Sequence, residues 1–461
     1  MPDRNTGRAA TFPAAALEGG AGIPRGNTPI RCGRWTRRVS VSSSARARRR
    51  SRRTGDATTM RWFILAILFI ARTCMALEFQ ILGAVMPFAR VDLDSDYAAM
   101  GQLMGLFMLP GIVLALPAGM LSSRFGLRRL AVFSLLLLAG GSALFSVSHD
   151  YGTALAGRLV GGAGNAVLSV LVSAMVAEWF RDRDLSTALS IVFISWQFGL
   201  AVALAVFPAI AEAASWRWAC HLTTLVCLTV AALVALTYRS PPGTVAATPT
   251  ATPTAAGRRS MPSLRLIARR QSILPTLAGI IWTAYNVGQV IFLTYAPALL
   301  ASTGISVTEA SRTVSLTVWV TMATMPLGGL LTDRCGRPLM PVAVGSLGAA
   351  AAGTAFSLGA PPMLSCIIVG LFLGLPAGGI LALPARHSAP GDTAWSLGWF
   401  MTVFYILMTL IQMLAGLIRD RTGSDLVTVE FGCALLALVA VGLIPFELAR
   451  RALRPSPAMA A

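Results

Sequence analysis

Long apolar runs separated by short polar or basic loops recur along the chain from about residue 60 onward. A membrane-spanning helix needs about 20 mostly apolar residues, and the runs reach that length. They are too long for the strands of a membrane β-barrel and lack the alternating pattern of such strands. We therefore predict twelve spans, at approximately 62–87, 99–121, 129–148, 152–177, 185–210, 216–238, 273–300, 311–331, 339–359, 362–384, 395–418 and 426–449.

A short motif, Gly-x-Leu-x-x-Arg-x-Gly, occurs twice and ends a long apolar run each time. The copies begin at Gly119 and Gly329, which are 210 positions apart (329 − 119). A repeat at this separation indicates two related halves. The predicted fold is therefore an all-α membrane protein with twelve transmembrane helices in two pseudo-symmetric six-helix bundles. The bundles cover residues 60–239 and 273–450, with a cytoplasmic linker at 240–272 and a cytoplasmic tail at 451–461.

The motif has the composition of a tight loop between two membrane helices. Gly126 and Gly336 allow the backbone to reverse without a Cβ clash, and Gly119 and Gly329 allow neighbouring helices to approach closely. Asp333 can accept hydrogen bonds from arginines or from the start of the next helix. Five arginines hold the loops on the cytoplasmic side, namely Arg124, Arg128, Arg129, Arg334 and Arg337. The motif is either a topological anchor or a gate that locks and unlocks as the bundles rock.

The first 59 residues differ from the rest of the chain. They are rich in Arg, Ser, Gly and Pro and predict a disordered basic extension. A transit peptide and a tail that binds anionic lipid are two interpretations. We favour a third, in which the reading frame starts at Met60, because Met60 directly precedes the first span.

Composition excludes an ordinary soluble domain. The 461 residues are 55% hydrophobic and 12% charged, with a mean hydropathy of +0.69, whereas soluble domains carry about 25% charged residues. The formal charge of +19 suggests nucleic-acid binding, but we reject that interpretation because the arginines flank the predicted spans. Every basic residue is Arg, which fits a GC-rich bacterial genome rather than a particular ligand.

Basic residues are distributed unequally between the two sets of loops. This asymmetry places both termini in the cytoplasm of a bacterium and the spans in its inner membrane. The inner loops hold, besides the linker arginines, Arg124, Arg128, Arg129, Arg181, Arg183, Arg334, Arg337, Arg386, Arg450, Arg451 and Arg454. The outer loops hold Arg90, Arg217, Arg312, Arg419 and Arg421, mostly beside acids such as Asp92, Asp94, Glu309 and Asp420.

The sequence offers no pattern for metal, cofactor or enzyme chemistry. Seven cysteines are scattered, mostly within spans and without a Cys-x-x-Cys pair, and the three histidines are isolated. We therefore expect no metal site, no cofactor and no disulfide framework. A nucleophile with its base and a nucleotide-binding loop are also missing from the sequence, so we do not expect an enzyme.

Three charged residues lie well inside predicted spans, where a charge is costly and usually functional. Arg72 and Glu78 lie near the middle of the first span, about 120° apart around the helix, so they need separate partners. Arg158 in the fourth span is a candidate partner for Glu78, and its alternative role is structural hydrogen bonding to neighbouring carbonyls. We favour a substrate anion over a structural ion pair for Arg72. Glu78 is the obvious proton carrier.

Uncharged polar side chains also lie near the middle of several spans. Each is a candidate for substrate binding, and the alternative for each is packing between helices. They are Asn165, Gln197, Tyr285, Asn286, Gln289 and Tyr405. The tenth span combines several glycines with Pro376, which predicts a bendable gate.

The double motif, the two six-helix halves and the basic linker resemble the major facilitator superfamily over residues 60 to about 450. The resemblance implies the major facilitator fold, with spans 1, 4, 7 and 10 lining a cavity. The sequence from Arg158 to Gly164 is similar to the fourth-span Arg motif of this superfamily, with Gly161 where Gln is common. The first loop motif has Ser123 where the family usually has Asp.

Finer segments resemble the cyanate permease and nitroimidazole transporter group, whose members carry small anions and small organic compounds. These segments are 109–119, 175–180, 284–288 and 295–297. The resemblance implies a transporter and leaves its substrate open.

We predict a secondary active transporter of a small anion or small polar organic compound, which works by alternating access as a monomer and couples to protons. Its partners are the substrate and the lipid bilayer. A multidrug/proton antiporter that exports amphipathic compounds is the alternative, although the fifth span has 195–199 as Ser-Trp-Gln-Phe-Gly instead of the usual Gly-Pro motif. A non-transporting membrane sensor is the alternative of another class, and it would normally append a folded soluble domain.

Overall fold

The computed structural model describes residues 36–180, 185–238, 272–334, 339–387 and 393–452. Helices make up nearly all of this described part. They are α1 (Thr36–Asp92), α2 (Tyr97–Leu106), α3 (Pro110–Phe125), α4 (Leu127–Ser146), α5 (Tyr151–Phe180), α6 (Leu185–Ala213), α7 (Trp216–Thr237), α8 (Ile273–Ala301), α9 (Val307–Arg334), α10 (Met340–Ser357), α11 (Pro362–Leu373), α12 (Pro376–His387), α13 (Thr393–Thr422) and α14 (Asp425–Ala452).

Twelve stretches of the described chain are long and apolar enough to cross a membrane, which confirms the predicted number of spans. We number them 1 to 12 in chain order. Spans 2 and 10 each consist of two helices, α2 with α3 and α11 with α12. The sequence predicted a bend in span 10 but an uninterrupted span 2. Pro110 begins α3 and Pro376 begins α12, and a proline lacks the N–H that would continue the preceding helix.

A helical segment precedes the first span, and other segments at the edges of the two bundles lie outside the described part. Helix α1 begins at Thr36, so residues 36–59 are helical where the sequence predicted disorder. The chain divides into two compact units, residues 1–58 and 59–461, and the second unit holds all twelve spans. Residues 1–35, 239–271 and 453–461 lie outside the described part. The linker and the tail therefore stay predictions.

Within the second unit, spans 1–6 form one set, in which span 3 packs on spans 4 and 6, and spans 7–12 form another, in which span 12 packs on spans 7 and 9. The two sets form the N-terminal and C-terminal halves. The halves meet chiefly where α2 packs on α13 and where α6 packs on α9. This exchange, in which span 2 contacts span 11 and span 5 contacts span 8, is what a two-fold relation between the halves requires.

The two ends of the bundle differ in how the halves are joined. We call the end with the α3–α4 turn at Gly126 the motif side, and the other end the far side. Among the described residues, the hydrogen bonds and ring contacts between the halves lie at mid-depth or toward the far side. Thr409 donates its hydroxyl proton to the Gly105 carbonyl at 3.0 Å, and the Phe198 and Trp319 rings meet edge to face at 5.7 Å. The structure is therefore closed on the far side.

In the part of the chain that the structure describes, two of the five arginines predicted in the outer loops form ion pairs with acids on the far side. Arg217 forms an ion pair with Asp92. Arg419 binds both carboxylate oxygens of Asp425, at 2.5 and 3.0 Å. Asp420, the nearer acid in the sequence, accepts hydrogen bonds from the N–H groups of Tyr97 and Ala98.

Glycines bring spans 3 and 4 into close contact. A Cβ on Gly157 would stand 2.8 Å from the Phe145 nitrogen and 2.9 Å from the Gly141 carbonyl oxygen. Small residues at such crossings allow the backbones to approach within van der Waals distance. Gly140 lies in span 3 next to Gly141, but a Cβ there would meet nothing within 4 Å.

Replacing Gly157 with valine is expected to force spans 3 and 4 apart and to lower the free energy of unfolding by about 1–3 kcal/mol, the usual effect of overpacking. The measurement is thermal unfolding of the purified protein in detergent. Gly140→Val is the matched control and should melt no lower than the wild type. Equal melting temperatures for the two variants would contradict the assigned helix contact.

Candidate functional site

Arg72 lies in span 1 as a half-buried cation. Its guanidinium carbon is 4.4 Å from the centre of the Phe193 ring of span 5. Its Nε is buried and has no hydrogen-bond partner. In the described part of the chain, no acid forms an ion pair with it. A permanent charge that is neither neutralised nor fully hydrogen-bonded at this depth suits an anionic ligand.

Tyr405 brings the C-terminal half to the same place. Its hydroxyl lies within electrostatic reach of the Arg72 guanidinium and beside the Ser169 hydroxyl of span 4. Its ring packs on span 2, because a Cβ on Gly111 would stand 3.0 Å from the Tyr405 ring carbon Cζ. Both halves therefore contribute to one group of residues, which we call the central site: Arg72, Ser169, Phe193 and Tyr405.

Glu78 is completely buried six residues after Arg72. Neither of its carboxylate oxygens has a hydrogen-bond partner among the described residues, and the nearby Ser142 hydroxyl donates to the Cys220 carbonyl instead. Gly161 of span 4 faces it, since a Cβ there would stand 3.2 Å from Oε1. A buried carboxylate without a fixed donor is suited to take up and release a proton.

The Arg158 guanidinium binds main-chain carbonyls. It donates to the carbonyls of Glu78 at 2.7 Å, Leu103 at 3.2 Å and Phe79 at 3.3 Å. Its Cζ is 4.2 Å from the centre of the Phe107 ring. Arg158 forms no ion pair with the Glu78 carboxylate, so the structural alternative is the better account of it. Arg158 ties span 4 to spans 1 and 2.

The predicted polar candidates fall into two groups. Asn165, Gln197 and Gln289 each bury one side-chain atom without a hydrogen-bond partner, so they retain capacity for a ligand or water. Asn286 donates to the Trp282 carbonyl at 2.8 Å, and Tyr285 donates to the Leu373 carbonyl at 2.7 Å. Since Leu373 ends α11, Tyr285 fixes the break in span 10. No hydrogen bond among the described residues joins these five side chains to Arg72.

Sequence reasoning missed several residues near these groups. Phe193 and Ser169 belong to the central site, and nothing in their local sequence distinguishes them from packing residues. Gln80 and Thr294 are buried with unpaired polar atoms, and both approach Gly83, where a Cβ would stand 2.9 Å from each of the two. Gln80 had a detectable signal, because it is an amide two residues from Glu78 in an apolar run.

The loop motif is described only in part. Gly126 has φ +84°, a conformation that favours glycine, so the predicted tight turn is present. Arg128 donates to the Ala235 carbonyl at the end of span 6, and Arg124 and Arg334 are exposed. A Cβ on Gly329 would meet nothing within 4 Å, but Gly378 of span 10 faces its backbone, since a Cβ on Gly378 would lie 3.6 Å from the Gly329 Cα. The structure does not describe the surroundings of the remaining gate candidates, which are Gly119, Asp333, Gly336 and Arg337.

Comparison with protein families gives one match that covers most of the chain. The model of the Major Facilitator Superfamily matches residues 68–394. Similar curated proteins include the acurin A biosynthesis cluster MFS-type transporter of Aspergillus aculeatus (27% identical, 34% of this chain and 28% of that protein). The inner membrane transport protein YajR of Escherichia coli is 26% identical over 33% of this chain and 34% of its own length. The chain thus spans about a third of these relatives.

A longer match is the hexuronate transporter of Bacillus subtilis, which is 23% identical over 59% of this chain and 64% of its own length. Among solved structures, a D-xylose–proton symporter matches with a TM-score of 0.67 at 16% identity, over 84% of this chain and 96% of that one. A bacterial homolog of the human lysosomal transporter Spinster, in an inward-facing and occupied conformation, matches with a TM-score of 0.65 at 16% identity, over 86% and 99%. At these identities the structures show the fold alone.

Proposed function

The chain belongs to the major facilitator superfamily of secondary transporters, and from that premise we propose that its substrate is a small anion held by Arg72. The observation that carries this proposal is the half-buried guanidinium with an unpaired Nε and no acid bound to it. The planar guanidinium fork matches a carboxylate or another planar anion better than an ammonium group would.

Two relatives support an organic anion as the first substrate class to test. The hexuronate transporter and the probable galactarate/D-glucarate transporter of Bacillus subtilis are both named for sugar acids. The resemblance of short segments to the cyanate permease group also favours an anion. We therefore propose a small carboxylate or another small planar anion as the substrate, and membership of the cyanate permease and nitroimidazole transporter group.

The proposed mechanism is alternating access. The far side is closed, and the described hydrogen bonds and ring contacts between the halves lie at mid-depth or toward the far side. With the motif side in the cytoplasm of a bacterium, as the arginine asymmetry favours, this is an inward-facing arrangement. Tyr405 of one half and Arg72 of the other would then close on a bound anion together, which couples binding to the movement of the halves. The loop motif remains the proposed gate on the motif side.

We further propose that Glu78 carries the coupled proton. It is fully buried in the same span as Arg72 and lacks a fixed donor. Protonation would remove a charge from the membrane interior while the substrate brings one in, so the two events favour each other electrostatically.

Ligand-dependent thermal unfolding in detergent tests the substrate class. Galacturonate, glucarate and cyanate are the anionic probes, with xylose as the neutral control and an amphipathic cation as the multidrug control. An anion that binds should raise the melting temperature, because a ligand at a hundred times its Kd stabilises the protein by about 2.7 kcal/mol. Stabilisation by the amphipathic cation alone would favour the multidrug alternative instead.

A further inference from the structure

The start of span 2 is bound by an acid from the other half. The N–H groups of Tyr97 and Ala98 donate to Oδ1 and Oδ2 of Asp420, at 3.0 and 2.6 Å. The Ala99 N–H donates to its own N-cap, Asp96, at 2.7 Å. The first three N–H groups of α2 are thus satisfied, two of them by a carboxylate at the end of α13. Such groups have no partner inside their own helix.

The start of span 8 repeats this arrangement with the halves exchanged. The Thr308 N–H donates to Oε1 of Glu212, which lies at the end of α6 in the N-terminal half, at 2.9 Å. The Glu309 N–H donates to the hydroxyl of its local N-cap, Ser306, at 3.1 Å. In both places, the local cap takes the third N–H and the acid from the opposite half takes an earlier one.

The two arrangements occupy equivalent positions of the internal repeat. Asp96 and Ser306 are 210 positions apart (306 − 96), the same separation as the two copies of the loop motif. Each half contributes one helix start and one carboxylate. A negative charge at a helix N-terminus is favourable because unpaired N–H groups and the helix dipole give that end a partial positive charge.

The surrounding packing depends on the same closed state. A Cβ on Gly101 would stand 3.3 Å from the Gly416 nitrogen, so α2 and α13 are in backbone contact there. The Tyr97 ring contacts two guanidinium groups, that of Arg90 in its own half at 4.9 Å and that of Arg419 in the other half at 4.7 Å. These contacts cannot persist if the halves separate on the far side.

We propose that Asp420 and Glu212 form a paired latch, in which each half caps a helix of the other and so holds the far side closed. This inference rests on the proposed alternation of the halves. Opening the far side would leave both helix starts without these carboxylate caps. The equilibrium between the two conformations is therefore set in part by two equivalent acids that lie far from the substrate site.

Distance measurement between spin labels tests the latch. The labels are placed at Val147→Cys and Leu358→Cys, which are 56% and 75% exposed and follow the far-side ends of α4 and α10. Cys32 and Cys335 are replaced by serine in this background, and the described cysteines are buried. Loss of a helix cap changes an equilibrium about fivefold. We expect Asp420→Ala and Glu212→Ala each to raise the open-to-closed ratio about fivefold, and the double variant about 25-fold.

Asp150→Ala is the matched control. Asp150 is also a far-side acid that accepts from a helix start, the Thr153 N–H at 2.9 Å, but both residues belong to the N-terminal half. This variant should leave the distance distribution unchanged. Asp420→Asn and Glu212→Gln provide versions that keep side-chain size and should shift the distribution in the same direction.

The outcomes separate the latch from the proposed function. If the far-side distance populates an open state in the wild type but the latch variants match Asp150→Ala, the latch is overturned while alternation stands. If neither the wild type nor any variant shows a second distance, with or without galacturonate, alternation itself is overturned and the latch with it.

Discussion

Arg72→Ala is expected to abolish anion binding while the protein remains folded in the membrane. The guanidinium is the only cation placed in the central site, and removal of one partner of a buried charge pair costs about 3–5 kcal/mol, which is more than a hundredfold in affinity. Arg72→Lys keeps the charge but loses the bidentate fork, so we expect affinity to fall about tenfold. Calorimetric titration with the anion that stabilises the wild type measures both effects.

Melting temperatures without ligand distinguish a binding arginine from a structural one. Because Arg72 has an unpaired Nε and no bound acid, Arg72→Ala should not destabilise the empty protein. Arg158→Ala should do so, since it removes the guanidinium that binds three buried carbonyls of spans 1 and 2. Arg451→Ala, with a side chain 70% exposed, should change neither binding nor melting. Unchanged affinity in Arg72→Ala would make Arg72 a structural charge and would move the search to Asn165 and Gln289.

Glu78→Gln is expected to separate substrate exchange from proton coupling. Glutamine has the shape of the protonated acid and cannot ionise, so the variant should be fixed in the state that binds the anion. In liposomes, exchange of substrate across the membrane should continue, whereas accumulation driven by an inward proton gradient should be lost. Wild-type accumulation should rise as the outside becomes more acidic, because proton and anion then enter together.

The control for this experiment is Glu309→Gln, which removes an exposed acid from the start of α9. Its accumulation should depend on the proton gradient as the wild type does. Gradient-driven accumulation that survives in Glu78→Gln would show that the proton is carried elsewhere or that no proton is coupled.

Sequence pattern predicted the number of spans because each apolar run is long and clearly bounded. It missed the break in span 2, although Pro110 begins the second helix there, whereas the glycines and Pro376 of span 10 had predicted a bend. The reason is that proline alone does not specify a break in this chain. Pro87, Pro208 and Pro297 lie inside helices that continue past them, so the surrounding packing decides which proline begins a new helix.

The sequence indicated which residues form the candidate site, but it did not indicate which of them contact one another. Arg72 and Tyr405 stood out because a charge and a phenol within apolar runs are conspicuous, yet 333 positions separate them (405 − 72) and no local pattern indicates that they meet. Asp420 is a residue whose sequence neighbour suggested the wrong partner. Its place next to Arg419 suggested local charge balance, whereas the helix start it binds is more than 300 positions away.

The most direct test of the central claim is uptake of radiolabelled galacturonate by liposomes that contain the purified protein and an excess of unlabelled galacturonate inside. A transporter that alternates around Arg72 should exchange the label into wild-type liposomes, more slowly with Arg72→Lys, and not at all with Arg72→Ala. The same series with cyanate and glucarate extends the test to other small anions. Exchange of any of these anions at the wild-type rate by Arg72→Ala, or no exchange of any of them by the wild type, would contradict the account.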